Sequence, residues 1–291
     1  MPELPEVETV RRGLERLILG SVVASVEVLT DKSFRGDPAQ LAGRAVNRIG
    51  RRGKVLIIEL DGQLSLVAHL KMTGQMVYRS DESGWGAGHP TGSLIGQLPD
   101  ASTRVILRFT DGAALFFNDQ RKFGWLALMP NDQVAAIPLL AQMGPEPLDG
   151  DPWPEFHRRI RRHQRTSIKA ALLNQAVVGG IGNIYADEAL WAARTHPASL
   201  VGDLSDRKLR AILRAAASSI ELSLSLGGST DRNYVDAEGR PGAYLDFAEV
   251  FRRDGRPCRR CGQSIVKTRV AGRGTHFCPH CQRLKPASAK S

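Results

Sequence analysis

The chain has 291 residues, 42% hydrophobic and 24% charged, with a formal net charge of +10; this suits about two folded domains and argues against global disorder. Four cysteines are too few for a disulfide-stabilised secreted protein, and no apolar run reaches the roughly 18 residues that a membrane-spanning helix needs. Acidic Glu3, Glu6 and Glu8 stand near the start without a following apolar stretch, so we expect no signal peptide and a cytoplasmic location.

Residues 5–19 are predicted to form a helix, because Val7, Val10 and Leu14 recur at helical spacing and Gly20 follows them. Apolar runs separated by turn residues then predict strands at residues 22–29, 55–60, 64–69, 105–109 and 114–117. Several short strands at this spacing indicate a sandwich or a barrel.

Residues 80–99 are rich in Gly, Ser and Pro and are predicted to form a surface loop. Six prolines lie between residues 130 and 154 and are typical of a connector between domains. The following sequence predicts helices at residues 153–165, 167–174, 184–193 and 205–226. A second glycine-rich loop is predicted at residues 227–243.

Two Cys-x2-Cys pairs are the strongest motif: Cys258 with Cys261 and, after sixteen further residues, Cys278 with Cys281. Each pair places two thiolates on one turn, and four thiolates complete a tetrahedral shell for one structural Zn²⁺. Redox-active or free thiols are the alternatives, and His280 is a rival ligand that a four-Cys site does not need. The runs between the pairs predict a β-hairpin zinc finger.

Positive charge is concentrated around this motif. Residues 251–291 contain 11 Lys and Arg and one Asp, whereas the first 250 residues contain 29 basic and 29 acidic residues. A solvated basic tail is one interpretation, but a folded basic module favours a polyanion, above all nucleic acid. Arg273 lies between Gly272 and Gly274 at the predicted hairpin tip, where the glycines allow close approach to a ligand.

Glycine-bearing turns within residues 177–183 lead directly into a predicted helix at Asn183. A helix N-terminus presents unpaired N–H groups to an anion. Five arginines lie on the helix upstream and could bind phosphates together: Arg158, Arg159, Arg161, Arg162 and Arg165. An ordinary turn between helices, next to a solvated basic face, is the alternative.

The N-terminus is a third candidate site. Removal of Met1, which a small second residue permits, would leave Pro2 with a free secondary amine. Such an amine can attack an aldehydic carbon and form an iminium, which accepts electrons during elimination. A Pro2 that merely protects the terminus is the simpler interpretation of these residues alone.

The chain resembles the formamidopyrimidine-DNA glycosylase family, the bacterial 8-oxoguanine repair enzymes, along nearly its whole length. The resemblance rests on ordered motifs followed by the four cysteines: residues 1–9 (MPELPEVET), 51–54 (RRGK), 69–74 (HLKMTG), 119–124 (DQRKFG), 144–147 (GPEP) and 180–186 (GIGNIYA).

The resemblance implies an α+β fold, with an N-terminal β-sandwich flanked by helices and a C-terminal helix–two-turn–helix domain that carries the zinc finger. The expected divisions are a catalytic sandwich at 1–131, a connector at 132–152, the helical domain at 153–250 and the finger at 251–291. The expected partner is damaged double-stranded DNA, bound between the domains by a monomer.

The implied activity is base-excision repair by a DNA glycosylase with AP lyase activity, which removes oxidised purines such as 8-oxoguanine and formamidopyrimidines. Pro2 would attack C1′ of the damaged nucleotide, Glu3 would protonate the sugar ring oxygen, and Glu6 would support the site. Lys54 would assist β-elimination and hold a phosphate, although on its own it fits a solvated charge. Arg273 would assist δ-elimination and grip the phosphates around the lesion.

The resemblance also implies DNA contacts. His69 and Asn183 would bind backbone phosphates. Met72, Arg121 and Phe123 would fill the gap left by the flipped base, with Arg121 facing the orphaned cytosine. Considered alone, Met72 and Phe123 are typical of a core, and His69 of a buried histidine.

Two segments depart from the family pattern. Many relatives carry Lys-His-Asp-His where this chain has Ala-Ser-Thr-Arg at residues 101–104, so a phosphate-binding His is missing and Arg104 is predicted to contact DNA in its place. Gln164 stands where a basic residue is common. Residues 223–243, which read the lesion in relatives, cannot be assigned contacts.

Two other functions are compatible with parts of the sequence. The endonuclease VIII-like branch prefers oxidised pyrimidines, but Met72, Arg121 and Phe123 favour the purine branch. A non-catalytic zinc-ribbon DNA-binding protein would keep the basic tail and would not need Pro2 or Glu3.

Overall fold

The computed structural model describes residues 2–81, 83–89, 92–228 and 244–284. The chain divides into two compact units. The first consists of Met1–Ala141 with Leu224–Tyr244, and the second of Gln142–Ser223 with Leu245–Ser291. No described helix has the length and apolar character needed to cross a membrane.

The first unit begins with a long helix, continues with strands and ends its first segment with two short helices. The helices are α1 (Leu4–Ile18), α2 (Asn131–Val134) and α3 (Pro138–Ala141). The strands are β1 (Val23–Val28), β2 (Phe34–Arg35), β3 (Val46–Arg52), β4 (Val55–Leu60), β5 (Leu64–His69), β6 (Gly74–Arg79), β7 (Gly84–Gly88), β8 (Thr103–Phe109), β9 (Ala114–Asp119) and β10 (Trp125–Pro130).

These strands form two five-stranded sheets, in the orders β1-β8-β9-β6-β7 and β2-β10-β5-β4-β3. All described pairs are antiparallel except β2 with β10. The apolar face of α1, with Val7, Val10 and Leu14, packs in one core with buried residues of both sheets. The predicted sandwich with flanking helices is therefore confirmed.

The second half of the chain is helical and ends in a hairpin. Its helices are α4 (Trp153–Ile160), α5 (Ile168–Leu173), α6 (Asn183–Ala192), α7 (Asp206–Ser225) and α8 (Tyr244–Phe247), and its strands are β11 (Val266–Val270) and β12 (Arg273–Phe277). The buried carboxylate of Glu188 on α6 accepts hydrogen bonds from the backbone N–H groups of Glu249, Val250 and Phe251. This carboxylate joins the helices to the segment that leads into the hairpin. The predicted α+β class is confirmed.

The prediction of a loop over residues 80–99 is wrong in part, because β7 lies within it and pairs with β6 at a sheet edge. Trp85 and Ala87 are buried on this strand, but they alternate with glycines, which give no polar or apolar signal. Strands β2, β3, β6 and β10 are also additions to the predicted set. The predicted loop at residues 227–243 lies, from residue 229 onward, outside the described residues.

Candidate functional site

Pro2 and Glu3 lie at the beginning of α1 and are buried. Glu3 is the N-cap residue, and its backbone N–H donates to Oε2 of Glu6 at 2.8 Å. The two glutamates form a capping box, a reciprocal arrangement that fixes the first turn of a helix. Because the bonded N–H belongs to the peptide that follows Pro2, Glu6 holds the predicted nucleophile in position. This gives a physical basis for the supporting role predicted for Glu6.

Lys54 and His69 lie next to each other, because Lys54 ends the turn between β3 and β4, and Val55 pairs with His69 across the sheet. Both side chains are buried. The backbone N–H of Lys71 donates to Nδ1 of His69 at 2.9 Å. Burial, reinforced by the charges of Lys71 and Lys54, lowers the pKa of His69 to about 3. His69 is therefore neutral at pH 7, with its proton on Nε2, and can donate one uncharged hydrogen bond.

Met72, Arg121 and Phe123 come together on the surface of the first unit, and we call them the exposed cluster. Met72 is 40% exposed and Phe123 55% exposed. Nη1 of Arg121 lies 3.0 Å from Sδ of Met72, and the guanidinium carbon lies 5.0 Å from the centre of the Phe123 ring. Large apolar side chains grouped with an arginine outside the core are typical of a recognition surface.

Asp119 organises the turn that carries two members of this cluster. Its buried carboxylate accepts the backbone N–H groups of Arg121 at 3.1 Å, Phe123 at 2.8 Å and Gly124 at 2.6 Å. The hydroxyl of Thr73, beside Met72, donates to the same carboxylate. Only glycine fits at position 124, since a Cβ there would lie 2.8 Å from the Phe117 ring. Asp119 and Thr73 lie in two of the sequence motifs named above, but the sequence predicted no role for either.

Arg104 is placed differently from its prediction as a DNA contact. It is only 6% exposed. Its Nε donates to the backbone oxygen of Asp119 at 2.8 Å, its Nη2 to that of Ala101 at 2.9 Å, and its Nη1 to that of Thr103 at 3.4 Å. A guanidinium bonded inward in this way is not presented to a phosphate, so the structure disfavours the predicted contact.

Asn183 begins α6 directly after the glycine turn, as predicted, and Gly182 is the N-cap residue. The side chain of Gln175 stabilises the turn, because its Nε2 donates to Ile181 O at 2.8 Å and its Oε1 accepts from Gly180 N–H at 3.0 Å. Among the described residues, Oδ1 of Asn183 is buried without a hydrogen-bond partner. The phosphate contact of Asn183 stays a prediction.

Some of the arginines that precede the glycine turn form ion pairs with nearby acidic side chains. Glu155 bonds to both Arg158 and Arg159, and Asp206 pairs with Arg161. Three of the five arginines thus satisfy carboxylates of the same unit. The helix predicted at residues 153–165 ends at Ile160, so only Arg158 and Arg159 lie on it. Both findings weaken the interpretation of this segment as a phosphate clamp.

The four cysteines of the predicted finger converge. The Sγ atoms of Cys258, Cys261, Cys278 and Cys281 all lie within 4.8 Å of one another. A tetrahedral zinc with Zn–S bonds of about 2.3 Å needs sulfur separations near 3.8 Å, which this cluster can reach with small side-chain shifts. The cluster therefore fits one structural Zn²⁺ with no open coordination position.

Arg273 is the first residue of β12 and pairs with Val270 across the hairpin turn, so it lies at the tip, as predicted. The two residues after Arg273 are hydrogen-bonded to the fully buried side chain of Lys169 on α5. Its Nζ donates to Asp187 Oδ1 at 2.6 Å, to Gly274 O at 2.9 Å and to Thr275 Oγ1 at 2.8 Å. The sequence did not single out Lys169 or Asp187, and a charge inside an apolar helical run was the available signal.

Replacing Trp191 with Phe is expected to speed the loss of zinc. The indole N–H of Trp191 donates to Cys258 Sγ at 3.4 Å, and the Arg260 guanidinium lies 3.8 Å from the centre of the indole ring. Phenylalanine keeps a ring but removes the donor, and loss of such an outer contact to a metal ligand typically costs about 10- to 100-fold in metal affinity. We expect zinc transfer to a chromogenic chelator to be about tenfold faster.

The matched control is Arg259→Ala, which removes a neighbouring charge. The Arg259 guanidinium bonds to the backbone oxygens of Asp246 and Phe247 instead of covering Trp191. It should release zinc at the wild-type rate. Equal rates for W191F and the wild type would show that the indole N–H does not matter for zinc retention.

Comparison with known proteins places these features in one family. Residues 1–126 match the formamidopyrimidine-DNA glycosylase N-terminal domain, residues 143–234 the H2TH domain of the same glycosylase, and residues 255–284 the zinc finger found in FPG and IleRS.

Relatives match over the full length. The formamidopyrimidine-DNA glycosylase of Desulforamulus reducens is 39% identical over 98% of this chain and 100% of its own length. That of Pelotomaculum thermopropionicum is 38% identical with the same coverage. The structure of the Lactococcus lactis Fpg in complex with an abasic site containing DNA superposes with a TM-score of 0.85 at 33% identity, over 97% of this chain and 100% of that one. The chain therefore belongs to the formamidopyrimidine-DNA glycosylase family.

Proposed function

We propose that this protein is a bifunctional DNA glycosylase and AP lyase that removes oxidised purines, such as 8-oxoguanine and formamidopyrimidines, from double-stranded DNA. The observation that carries the proposal is the N-terminal arrangement, in which the Glu6 carboxylate bonds to the backbone N–H of Glu3 and fixes the peptide after Pro2.

In the first step, the secondary amine of Pro2, freed by removal of Met1, attacks C1′ of the damaged nucleotide. The N-glycosidic bond breaks, and the base leaves with the bonding electrons and takes up the proton that the Pro2 nitrogen releases. Glu3 gives a proton to the sugar ring oxygen, so the ring opens and the nitrogen of Pro2 becomes an iminium. The buried position of Glu3 suits this role, because a carboxyl that must deliver a proton needs a site shielded from water.

The iminium then accepts electrons in two eliminations. In β-elimination a proton leaves C2′ and the 3′ phosphate departs. In δ-elimination a proton leaves C4′ and the 5′ phosphate departs. Water then hydrolyses the iminium, which releases the sugar fragment as an aldehyde and restores the Pro2 amine. Lys54 assists the first elimination and holds a phosphate, and Arg273 assists the second. Departing phosphates are dianionic, so a lysine and an arginine stabilise them electrostatically.

DNA binding uses charge for affinity and the exposed cluster for the lesion. The neutral Nε2–H of His69 and the side chain of Asn183 contact phosphates, as do Lys54 and Arg273. Chemistry at C1′ requires the damaged nucleotide to leave the stack, and the exposed cluster occupies the resulting gap. Arg121 faces the orphaned cytosine.

Covalent trapping tests the proposal directly. Incubation with a duplex that contains an 8-oxoguanine:cytosine pair and sodium borohydride should reduce the iminium to a stable amine. We expect a protein–DNA adduct whose tryptic fragment maps to Pro2. Acetylation of the N-terminal amine should abolish the adduct and strand cleavage while duplex binding persists.

The same assay separates the alternatives. A zinc-ribbon protein without activity gives no adduct with any lesion. A panel of oxidised purines and oxidised pyrimidines distinguishes the purine-directed enzyme from the endonuclease VIII-like branch by the lesion that traps fastest. Strand cleavage that survives acetylation would remove Pro2 from the mechanism.

A further inference from the structure

The structure of the segment around Arg104 suggests a role for this residue that does not involve DNA contact. Arg104 lies near the start of β8, next to β9, where Asp119 is the last residue of the strand. Its buried Nε donates to the backbone oxygen of Asp119 at 2.8 Å. The other two guanidinium nitrogens donate to backbone oxygens of the segment before β8 and of its first residue. Arg104 thus ties the end of β9 to the beginning of β8.

Asp119 accepts hydrogen bonds at both its backbone oxygen and its carboxylate. Its backbone oxygen is bonded to Arg104, and its carboxylate is bonded to the turn that follows. Oδ1 accepts the N–H of Arg121 at 3.1 Å, and Oδ2 accepts the N–H groups of Phe123 at 2.8 Å and Gly124 at 2.6 Å. A charged carboxylate makes strong hydrogen bonds to backbone donors, so the shape of residues 119–124 depends on where this carboxylate lies.

The same carboxylate reaches the second turn of the exposed cluster. The Thr73 hydroxyl donates to Oδ1 of Asp119, and Thr73 Oγ1 also lies 3.1 Å from the backbone nitrogen of Arg121. Thr73 directly follows Met72 in the chain. One buried group therefore sets the relative positions of all three exposed side chains, although they come from two different turns.

We propose that Arg104 is a positioning residue, which holds Asp119 and so pre-orders Met72, Arg121 and Phe123 for insertion into the duplex. The inference rests on the proposed function, in which the exposed cluster fills the gap left by the flipped base. A pre-ordered cluster binds more tightly because fewer side-chain and loop conformations are lost on binding. Arg104 thereby contributes to lesion recognition without contacting DNA.

The test measures two quantities for Arg104→Met: the preference for a duplex with a tetrahydrofuran abasic-site analogue over an undamaged duplex, and the slope of affinity against salt concentration. We expect the preference to fall about tenfold, the equivalent of one hydrogen bond of typical strength. The salt slope should stay at the wild-type value. Arg108→Met is the matched control, because Arg108 lies on the same strand with its side chain 53% exposed and near Glu27; it should retain the wild-type preference.

A phosphate contact by Arg104 predicts a different outcome. Loss of one phosphate contact reduces the magnitude of the salt slope by about 0.9 and weakens binding to damaged and undamaged duplexes alike. That result, or an unchanged preference in R104M, would overturn the positioning role.

Two further variants keep the test decisive. Thr73→Val removes the hydroxyl that links the two turns but leaves Arg104 in place, so it should also lower the preference even if R104M unfolds on thermal melting. Phe123→Ala removes a member of the exposed cluster directly. If F123A loses the preference while T73V and a folded R104M keep it, only the positioning role fails. If the wild type shows no preference for the analogue, the proposed function fails as well.

Discussion

Glu3→Gln is expected to slow the release of 8-oxoguanine from duplex DNA by about 10²- to 10⁴-fold, the usual contribution of a general acid. Cleavage at an abasic site formed beforehand should stay close to the wild-type rate. The reason is that base release with ring opening needs a proton on the sugar oxygen, whereas an abasic site already offers an aldehyde to the Pro2 amine. Separate assays of base release and of abasic-site cleavage measure the two rates.

The substitution is mild for the fold. Glutamine keeps an oxygen that can face the backbone N–H of Glu6 in the capping box, so α1 should begin at the same residue. Glu15→Gln, in an exposed carboxylate on the same helix that pairs with Arg11, controls for the loss of one negative charge. Equal losses at both substrates would assign Glu3 to structure or to binding instead of proton transfer.

Removal of zinc is expected to unfold the finger at residues 251–284. The finger has a small apolar core, formed by Trp191, Val250, Ile265 and three of the four cysteines, Cys258, Cys278 and Cys281. Structural zinc supplies about 10–16 kcal/mol in small fingers. We expect a chelator to abolish duplex binding, since the hairpin that carries Arg273 loses its shape. Hydrogen exchange should rise across residues 251–284 and stay low in the two sheets of the first unit.

Readdition of zinc should restore both binding and protection from exchange. Cys278→Ala, at a buried ligand position, should reproduce the chelated state without any chelator. Unchanged binding in either preparation would mean that the finger is dispensable for holding DNA.

The spacing of apolar residues and of cysteines predicted those helices, strands and turns whose formation depends on residues close together in the sequence. The period of Val7, Val10 and Leu14 predicted α1, and the cysteine spacing predicted the finger. Strands β4 and β5 were predicted with their observed ends because each consists mainly of apolar residues and the turn residues Asp61 and Gly62 separate them. Strand β3 was missed because it lies at a sheet edge, where Asn47, Arg48 and other polar residues face solvent and interrupt the pattern.

The candidate site was predictable only where chemistry is carried by residue type in a short motif. The four cysteines belong to this class, whereas the roles of Pro2 and Glu3 follow only from the family resemblance and stay predictions. Asp119 does not, because its importance arises from contact with Thr73, 46 residues away. Lys169 bonds to Gly274 across 105 residues, and no local pattern reports a contact of that range. The burial of Arg104 could not be predicted for the same reason, since its Nε bonds to the backbone oxygen of Asp119 on the neighbouring strand β9.

The buried ammonium of Lys169 has a consequence for how the finger can evolve or be exchanged. The finger matches a model of a zinc finger found in FPG and IleRS, which suggests a module that could be transferred between proteins. Here, however, the lysine and Asp187 reach into the hairpin, and Gln282 bonds back to Thr195 O. A foreign finger placed on these helices would have to offer acceptors for the two hydrogen bonds that the Lys169 ammonium makes to Gly274 and Thr275, so the helices and the finger must match each other.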